Sequence, residues 1–376
     1  MDSLLALQGG GLTAERGTMV ERKPKFSPER SFQQEVQSRV EERLAMLSRS
    51  RYGGRRIYLK TALLLLWSGA SYIALLTWDQ SGWQLVVPLS VSLGLALAGI
   101  GFNVAHDGNH GSFSTSRIVN RAMGCMFDLL GASSYVWRWK HNVFHHSYTN
   151  VEGLDDDINL GALCRMSRHQ PHLPYQRLQH LYMWILYAFI IPKWQLYDDF
   201  VAVLRGRIGD NPFPRPRGGE LALFLGGKLA FFTLAFALPL LFHPLWQVAL
   251  VYACVSGVQG LSLSIVFQLA HSNEESSSFS ADEPEDIARR EWAVHQVETT
   301  ANFARRSRFL TWYVGGLNHQ IEHHLFPRIS HVHLPVIAEV VEEVCREKGV
   351  RYSAHASFWT AVASHYSWLR SMGRPA

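Results

Sequence analysis

The sequence predicts an all-α integral membrane protein: four transmembrane helices in two hairpins, with a cytosolic helical cap. Three observations carry that expectation. Long uncharged stretches alternate with strongly charged ones, Arg and Lys gather beside the first stretch, and histidines cluster where two of the stretches end. Averages hide this pattern, since 47% hydrophobic and 18% charged residues give a mean hydropathy of −0.03, a value that a soluble domain would share. At 376 residues the chain has room for one large domain or two modest ones.

Residues 1–26 read as a disordered tail. Gly9, Gly10 and Gly11 follow no strand, so they are no dinucleotide loop. The polar start has no apolar core near Met1, so a cleavable signal peptide is not expected. Residues 27–56 hold an amphipathic N-terminal helix, with Ser27 or Ser31 as its N-cap. Its Phe32, Val36, Val40 and Leu44 recur every four residues, a stripe suited to the membrane surface or to the domain itself.

The remainder, 57–376, forms the main domain. A spanning helix needs roughly 20 mostly apolar residues. Thr61–Trp78 is uncharged between Lys60 and Asp79, Gln80–Ala105 up to His106, and Leu245–Ala270 up to His271. Leu221–Phe242 carries only Lys228, near its start, where a long side chain can snorkel. Spans are therefore expected over 61–78, 84–105, 221–242 and 245–270, with tight turns at Asp79–Trp83 and His243–Pro244. The cap comprises 106–220 and 271–376, including a helix at Val336–Cys345. Met123–Val136, which contains Asp128, and Leu181–Ile191 are too short to span and fit interfacial or buried helices.

Charge sets the orientation. Arg49, Arg51, Arg55, Arg56 and Lys60 precede the first span, and neither tight turn has a Lys or Arg. The positive-inside rule then places both termini and the long loops in the cytosol. The net charge of +5 reads as membrane-surface charge. Zinc-finger spacing and basic helices with interleaved aromatics are missing, so no nucleic-acid partner is expected. Cys125, Cys164, Cys254 and Cys345 lie far apart without a CxxC pair and read as thiols in a reducing cytosol.

The histidines carry the chemistry. His106-Asp107-Gly108-Asn109-His110 begins where the second span ends. His141-Asn142-Val143-Phe144-His145-His146 follows the first short apolar run. His271 closes the fourth span, and Gln320-Ile321-Glu322-His323-His324 comes later. Residues three or four apart share a helix face, so His106 pairs with His110 and His141 with His145, while Gln320, His323 and His324 repeat the pattern. A lone interfacial histidine is ordinarily an amphipathic residue, and His271 gains meaning only from its company. If Leu181–Ile191 crossed the membrane, His271 would lie opposite His146, so a shared site requires that it does not. Imidazole suits zinc, copper, nickel and iron and disfavours calcium and magnesium. Eight imidazoles (His106, His110, His141, His145, His146, His271, His323, His324) exceed what one ion takes. They fit a di-metal site held by the cap, and its place at the membrane points to iron and oxygen chemistry.

HDGNH, HNVFHH and QIEHH resemble the three histidine boxes of membrane fatty-acid desaturases, HDxxH, HxxxHH and QxxHH. The stretch Trp292–Pro327, with WAVHQVETTANF and GGLNHQIEHHLFP, is similar to bacterial acyl desaturases of the front-end, linoleoyl-type group. The resemblance runs from about Lys25 to Cys345. It implies that His106, His110, His141, His145, His146, His323 and His324 ligate two ferrous ions, with dioxygen as co-substrate and a bacterial inner membrane as the location. His271 sits where such enzymes place an additional ligand. Gln320 stands where many desaturases have histidine, which resembles enzymes that insert bonds towards the carboxyl end; a neutral amide is the weaker ligand. His319 lies outside the spacing. The haem-domain signature His-Pro-Gly-Gly of many eukaryotic front-end desaturases is absent, which implies a separate electron donor, ferredoxin-like or a small haem protein. The substrate implied is an acyl chain on a lipid or coenzyme A, held in the bilayer.

The surrounding residues have plainer readings. Asp107 and Glu322 are either carboxylates that orient a ligating imidazole or exposed acids. Asp155-Asp156-Asp157 reads as a solvated loop, with fixing the site as the alternative, and His295 as structural. Trp137, Trp139, Trp292 and Trp312 read as interface anchors or packing. A hydroxylase on the same di-iron scaffold is the nearest rival function. A metal transporter would need ionisable groups within the spans, and a zinc hydrolase fewer histidines.

Overall fold

The structure, a computed structural model, describes residues 23–78 and 82–375. The expected disordered tail and the centre of the first turn lie almost wholly outside the described residues. Helix α1, Ser31–Met46, presents the expected stripe of Phe32, Val36, Val40 and Leu44. That stripe packs on Ile321, Leu334, Ile337 and Val341, so α1 lies on the domain. Burying each such side chain stabilises by about 1.5–3 kcal/mol, which fixes the helix there. Neither serine caps it. Instead the Glu291 carboxylate accepts the backbone N–H groups of Phe32 at 3.1 Å and Gln33 at 2.6 Å.

Among the described residues, four helices are long and apolar enough to cross a membrane: α2 (Gly54–Leu76), α3 (Gln84–His110), α4 (Gly219–Leu241) and α5 (Leu245–His271). Their outward residues are apolar and bare of protein, among them Leu66, Ile73, Leu229 and Leu250. A soluble surface would not carry so large a greasy area. Trp67 donates to Ser92 at 2.8 Å, and Gly99 lies against Leu64, so α2 and α3 run antiparallel. Helices α3 and α5 run side by side in one direction, with Gly94 against Val258 and Gly101 against Leu263. Their C-terminal histidines therefore emerge at the same end.

Neither of the two short apolar runs forms a helix long enough to span. Met123–Val136 is broken into Arg117–Gly124, Met126–Leu129 and Ser134–Trp137, with Gly131 at φ 86° making one of the breaks. Leu181–Ile191 is divided between Gln179–Tyr187 and Ile190–Lys193; Leu181, Ile185 and Phe189 face outward while Met183, Tyr187 and Ile191 are buried. That one-sided burial suits helices lying in an interface. Lys228 corrects the snorkelling expectation. It is buried, donating to Asp199 Oδ2 at 2.8 Å and to the carbonyls of Gly131 and Gln195 at 2.6 and 3.2 Å. The segments beside α4 offer it three oxygens, one for each of its ammonium hydrogens.

After α5 come α6 (Trp292–Glu298), α7 (Arg308–Tyr313), α8 (Gln320–Leu325), α9 (Leu334–Lys348) and α10 (Phe358–Met372). Helix α9 is longer at both ends than Val336–Cys345. Two-residue parallel pairings, Val151–Glu152 with Phe279–Ser280 and Asn302–Phe303 with Ala354–His355, stitch these segments together. Gly315, at φ 63°, lets the loop before α8 touch the Phe102 carbonyl, which seats α8 against the end of α3. Any side chain there would push the two apart.

Candidate metal centre

The first two histidine boxes are shaped by local departures from the ordinary helix, while the third lies on the α-helix α8. Helix α3 widens into a π-turn over Gly101–Ala105 just before His106–His110. Gly108 lets this end approach the backbone of Gly124. The second box lies on a π-helical segment, Arg138–His145, with His146 as its C-cap. In an α-helix His141 and His146, five apart, would diverge by about 140°. The wider winding, with His146 N–H donating to the His141 carbonyl at 2.9 Å, brings their Nε2 atoms to 3.1 Å. The i, i+4 reading of this box was therefore incomplete: His141, His145 and His146 all turn to one region. Such π-segments recur at functional sites.

The imidazoles converge in two sets. Nitrogens of His106, His110, His141 and His323 lie within 4.8 Å of one another, and so do those of His145, His271 and His324. His146 stands between the sets, its ring 4.9 Å from His110, 4.8 Å from His323 and 4.4 Å from His324. All eight are buried. Gln320 is fully buried on the same helix as His323 and His324, with both amide atoms unpartnered. His319 is also buried, its Nδ1 3.8 Å from Glu322.

Donor chemistry fits metal. His106 and His271 have no hydrogen-bond partner at either ring nitrogen, and His110, His145, His323 and His324 have none at Nε2. A buried polar atom left unpaired costs about 1–3 kcal/mol, and here the same cost recurs around one small space. Cations that bind imidazole would take one such nitrogen from each of these six rings together. Burial first, then the neighbouring imidazoles, holds His141, His146, His323 and His324 well below the ordinary histidine range, in the neutral form that ligates. His145 differs. Burial pulls it down, but the Asp155 and Asp157 carboxylates together outweigh that and raise it.

A fatty acid desaturase family model matches residues 81–356. The sn-1 linoleoyl-lipid 6-desaturase of Synechocystis sp. is 36% identical over 96% of this chain and 99% of that protein. The chain belongs to the fatty acid desaturase family. The sn-1 linoleoyl-lipid 6-desaturase of Arthrospira platensis is likewise 36% identical, covering 94% of this chain and 96% of its own. An acyl-lipid (8-3)-desaturase of Physcomitrium patens is 37% identical over 84% of this chain and 66% of that protein.

The polar support of this desaturase's histidines is where sequence reasoning fell short. Asp155 is buried rather than solvated: it accepts His145 Nδ1–H at 3.0 Å and the N–H groups of Asn150 and Asp157 at 2.9 and 3.0 Å. Asp156 and Asp157 pair with Lys140 at 3.2 and 3.1 Å. Gln296 Oε1 accepts His324 Nδ1–H at 2.9 Å. Each bond fixes a tautomer whose free Nε2 turns to the centre. Asp107 and Glu322 are neither exposed nor bonded to a ligating imidazole. Asp107 receives Ser330 and His331, both at 2.9 Å, and Glu322 receives Tyr352 at 2.7 Å and Asn302 at 2.9 Å. Both anchor their boxes to other segments. His295 is structural as expected, bonding to the Thr149 carbonyl at 2.9 Å. Trp137 packs, stacking on His141 at 4.3 Å. Of these partners only Asp155 had a sequence signal, its place just after the second box; Gln296 and His331 had none.

Proposed function

We propose that this desaturase inserts a cis double bond towards the carboxyl end of an acyl chain carried on a membrane lipid. The observation that carries this reading is the pair of adjacent imidazole sets with unpartnered nitrogens, at the shared end of two apolar helices. One ion would be held by His106, His110, His141 and His323, the other by His145, His271 and His324, with His146 serving the pair. Loaded with two ferrous ions, the centre supplies oxygen activation and hydrogen abstraction, consuming dioxygen and two electrons from a separate ferredoxin-like or small haem protein.

The chain's own residues do the placing. Asp155 and Gln296 hold the His145 and His324 rings with Nε2 inward, so no ligand has to reorient. Burial keeps bulk water from the centre, which limits side reactions of a strong oxidant. Trp137, Phe127 and Ala105 form an apolar wall beside His106 and His110, against which methylenes can lie. The four apolar helices would span as two hairpins, α2–α3 and α4–α5, under a cytosolic cap. Both termini face the cytosol of a bacterial inner membrane, as the positive charge before α2 favours. The two relatives matched end to end are named 6-desaturases of linoleoyl lipid, which makes linoleoyl lipid the substrate to test first.

Expression in a bacterium without desaturases, fed linoleic acid, followed by mass spectrometry of its lipids, tests this. A product lighter by two hydrogens, with the new bond on the carboxyl side of the existing ones, is expected. A product heavier by one oxygen would replace desaturation with hydroxylation.

A further inference from the structure

A second group of buried ionisable side chains lies where α2 begins. Lys60 is only 5% exposed; its Nζ is 3.0 Å from His331 Nε2 and 5.1 Å from the centre of the Trp312 ring. On its other side His331 Nδ1 lies 2.9 Å from Asp107 Oδ2, an oxygen that also receives the Ser330 hydroxyl at 2.9 Å and the His331 N–H at 3.3 Å. Two further bonds bind the same segment to the start of α2: Ser330 N–H to the Arg51 carbonyl at 2.8 Å, and His333 Nε2 to the Tyr52 carbonyl at 3.0 Å.

The chemistry of the three groups leaves one arrangement. An ammonium only donates, so His331 Nε2 accepts from Lys60 and Nδ1–H donates to the carboxylate. One ring is thus wired at both ends. Asp107 sits beside His106 at the end of α3, and His331 lies just beyond His323 and His324. The bonds tie the segment that follows α8 to the end of α3. His106 and His110 stand 4.6 and 4.9 Å from His323 by ring centres, yet they come from elements far apart in the chain.

We propose that Lys60, His331 and Asp107 form a clasp that fixes the end of α3 against α8, assembling the four-imidazole set before metal arrives. His331 is its positioning residue. Burying a lysine is costly without a partner, and a purely structural lysine at this level could snorkel to water; here it is turned inward onto His331. The clasp rests on the reading that these imidazoles hold metal.

The test uses full-length protein in lipid nanodiscs, loaded anaerobically with ferrous iron, and follows iron transfer to a coloured ferrous chelator. Removing a group bonded directly to a metal ligand typically weakens binding roughly 10–100-fold; His331 acts one bond further out, so His331→Leu is expected to release iron about tenfold faster, at the low end of that range. His331→Gln can accept from Lys60 and donate to Asp107, and is expected to restore slow release. Lys60→Met should fall between, and Lys60→Met combined with His331→Leu should be no leakier than His331→Leu alone. Metal-free protein gives an independent reading: amide hydrogen exchange around His106–Ser112 rises in His331→Leu and returns to normal in His331→Gln. Wild-type release from His331→Leu, equal leakiness of His331→Gln, or additive effects in the double variant would each overturn the clasp. Should His331→Leu fail to fold, Lys60→Met and His331→Gln decide by the same readouts. If the unaltered protein takes up no iron, the metal reading fails, and exchange in the metal-free protein still decides the clasp.

Discussion

Asp155→Asn is the most informative single substitution in this structure. The carboxylate is only 2% exposed and accepts three hydrogens, from His145 Nδ1, Asn150 N and Asp157 N. Oδ2 alone takes two of them, at 3.0 and 2.9 Å. An amide of the same shape has one accepting oxygen, so it must present NH2 to at least one existing donor. It also removes the negative charge that makes His145 the most basic ring of its set. A hydrogen bond to a charged group contributes about 1.5–3 kcal/mol, equivalent to roughly 10–100-fold in iron affinity at 1.4 kcal/mol per decade. That range agrees with the usual effect of losing an outer-shell partner. The assay is iron per protein after dialysis against a graded chelator, with fatty-acid profiling alongside. Asp156→Asn serves as the control, since Asp156 faces Lys140 rather than an imidazole. Unchanged iron retention and product in Asp155→Asn would refute the argument that this carboxylate sets the His145 ring.

Other outcomes follow from the same geometry. His145→Ala or His323→Ala should lose iron and desaturation while membrane insertion stays normal; activity with full iron in either variant removes that residue from the ligand set. Burial pushes Glu322 up to about 7 from an ordinary 4.5. Folded protein then holds a proton that unfolded protein releases, so Glu322 costs stability as pH rises from about 4.5 to about 7, by roughly 3 kcal/mol in all. Glu322→Gln should flatten that part of the thermal-stability profile in detergent, and an unchanged slope would count against it. Lys228→Met leaves Asp199 buried without its cation and should destabilise by about 3–5 kcal/mol, whereas Lys228→Met with Asp199→Leu should recover much of it. Equal stability of the two variants would show that the pair contributes nothing.

Much of this architecture was legible because bilayer-length apolar runs follow from composition alone. The four spans end within a few residues of where uncharged sequence ends, and His106 and His271 mark two of those ends. The gathering of the eight imidazoles was legible as well, since their spacing and their places beside the apolar stretches point to them together. What escaped depends on distance through space. Ser27 and Ser31 looked like caps, but Glu291 supplies the oxygens from a remote segment. Lys228 looked free to reach water, because Asp199 cannot be known as its neighbour until the short helices fold beside α4. The second box was read on a 3.6-residue period, whereas a π-helical winding turns His146 onto the face of His141. Asp155, Gln296 and His331 act through single hydrogen bonds across the fold, and such bonds leave no periodic trace.

The central claim is that two ions sit side by side, one in each imidazole set. Anomalous scattering at the iron edge, from crystals of the iron-loaded protein, tests it most directly. The account predicts two peaks, one among His106, His110, His141 and His323 and one among His145, His271 and His324. A single peak, or iron lying away from these rings, would contradict it.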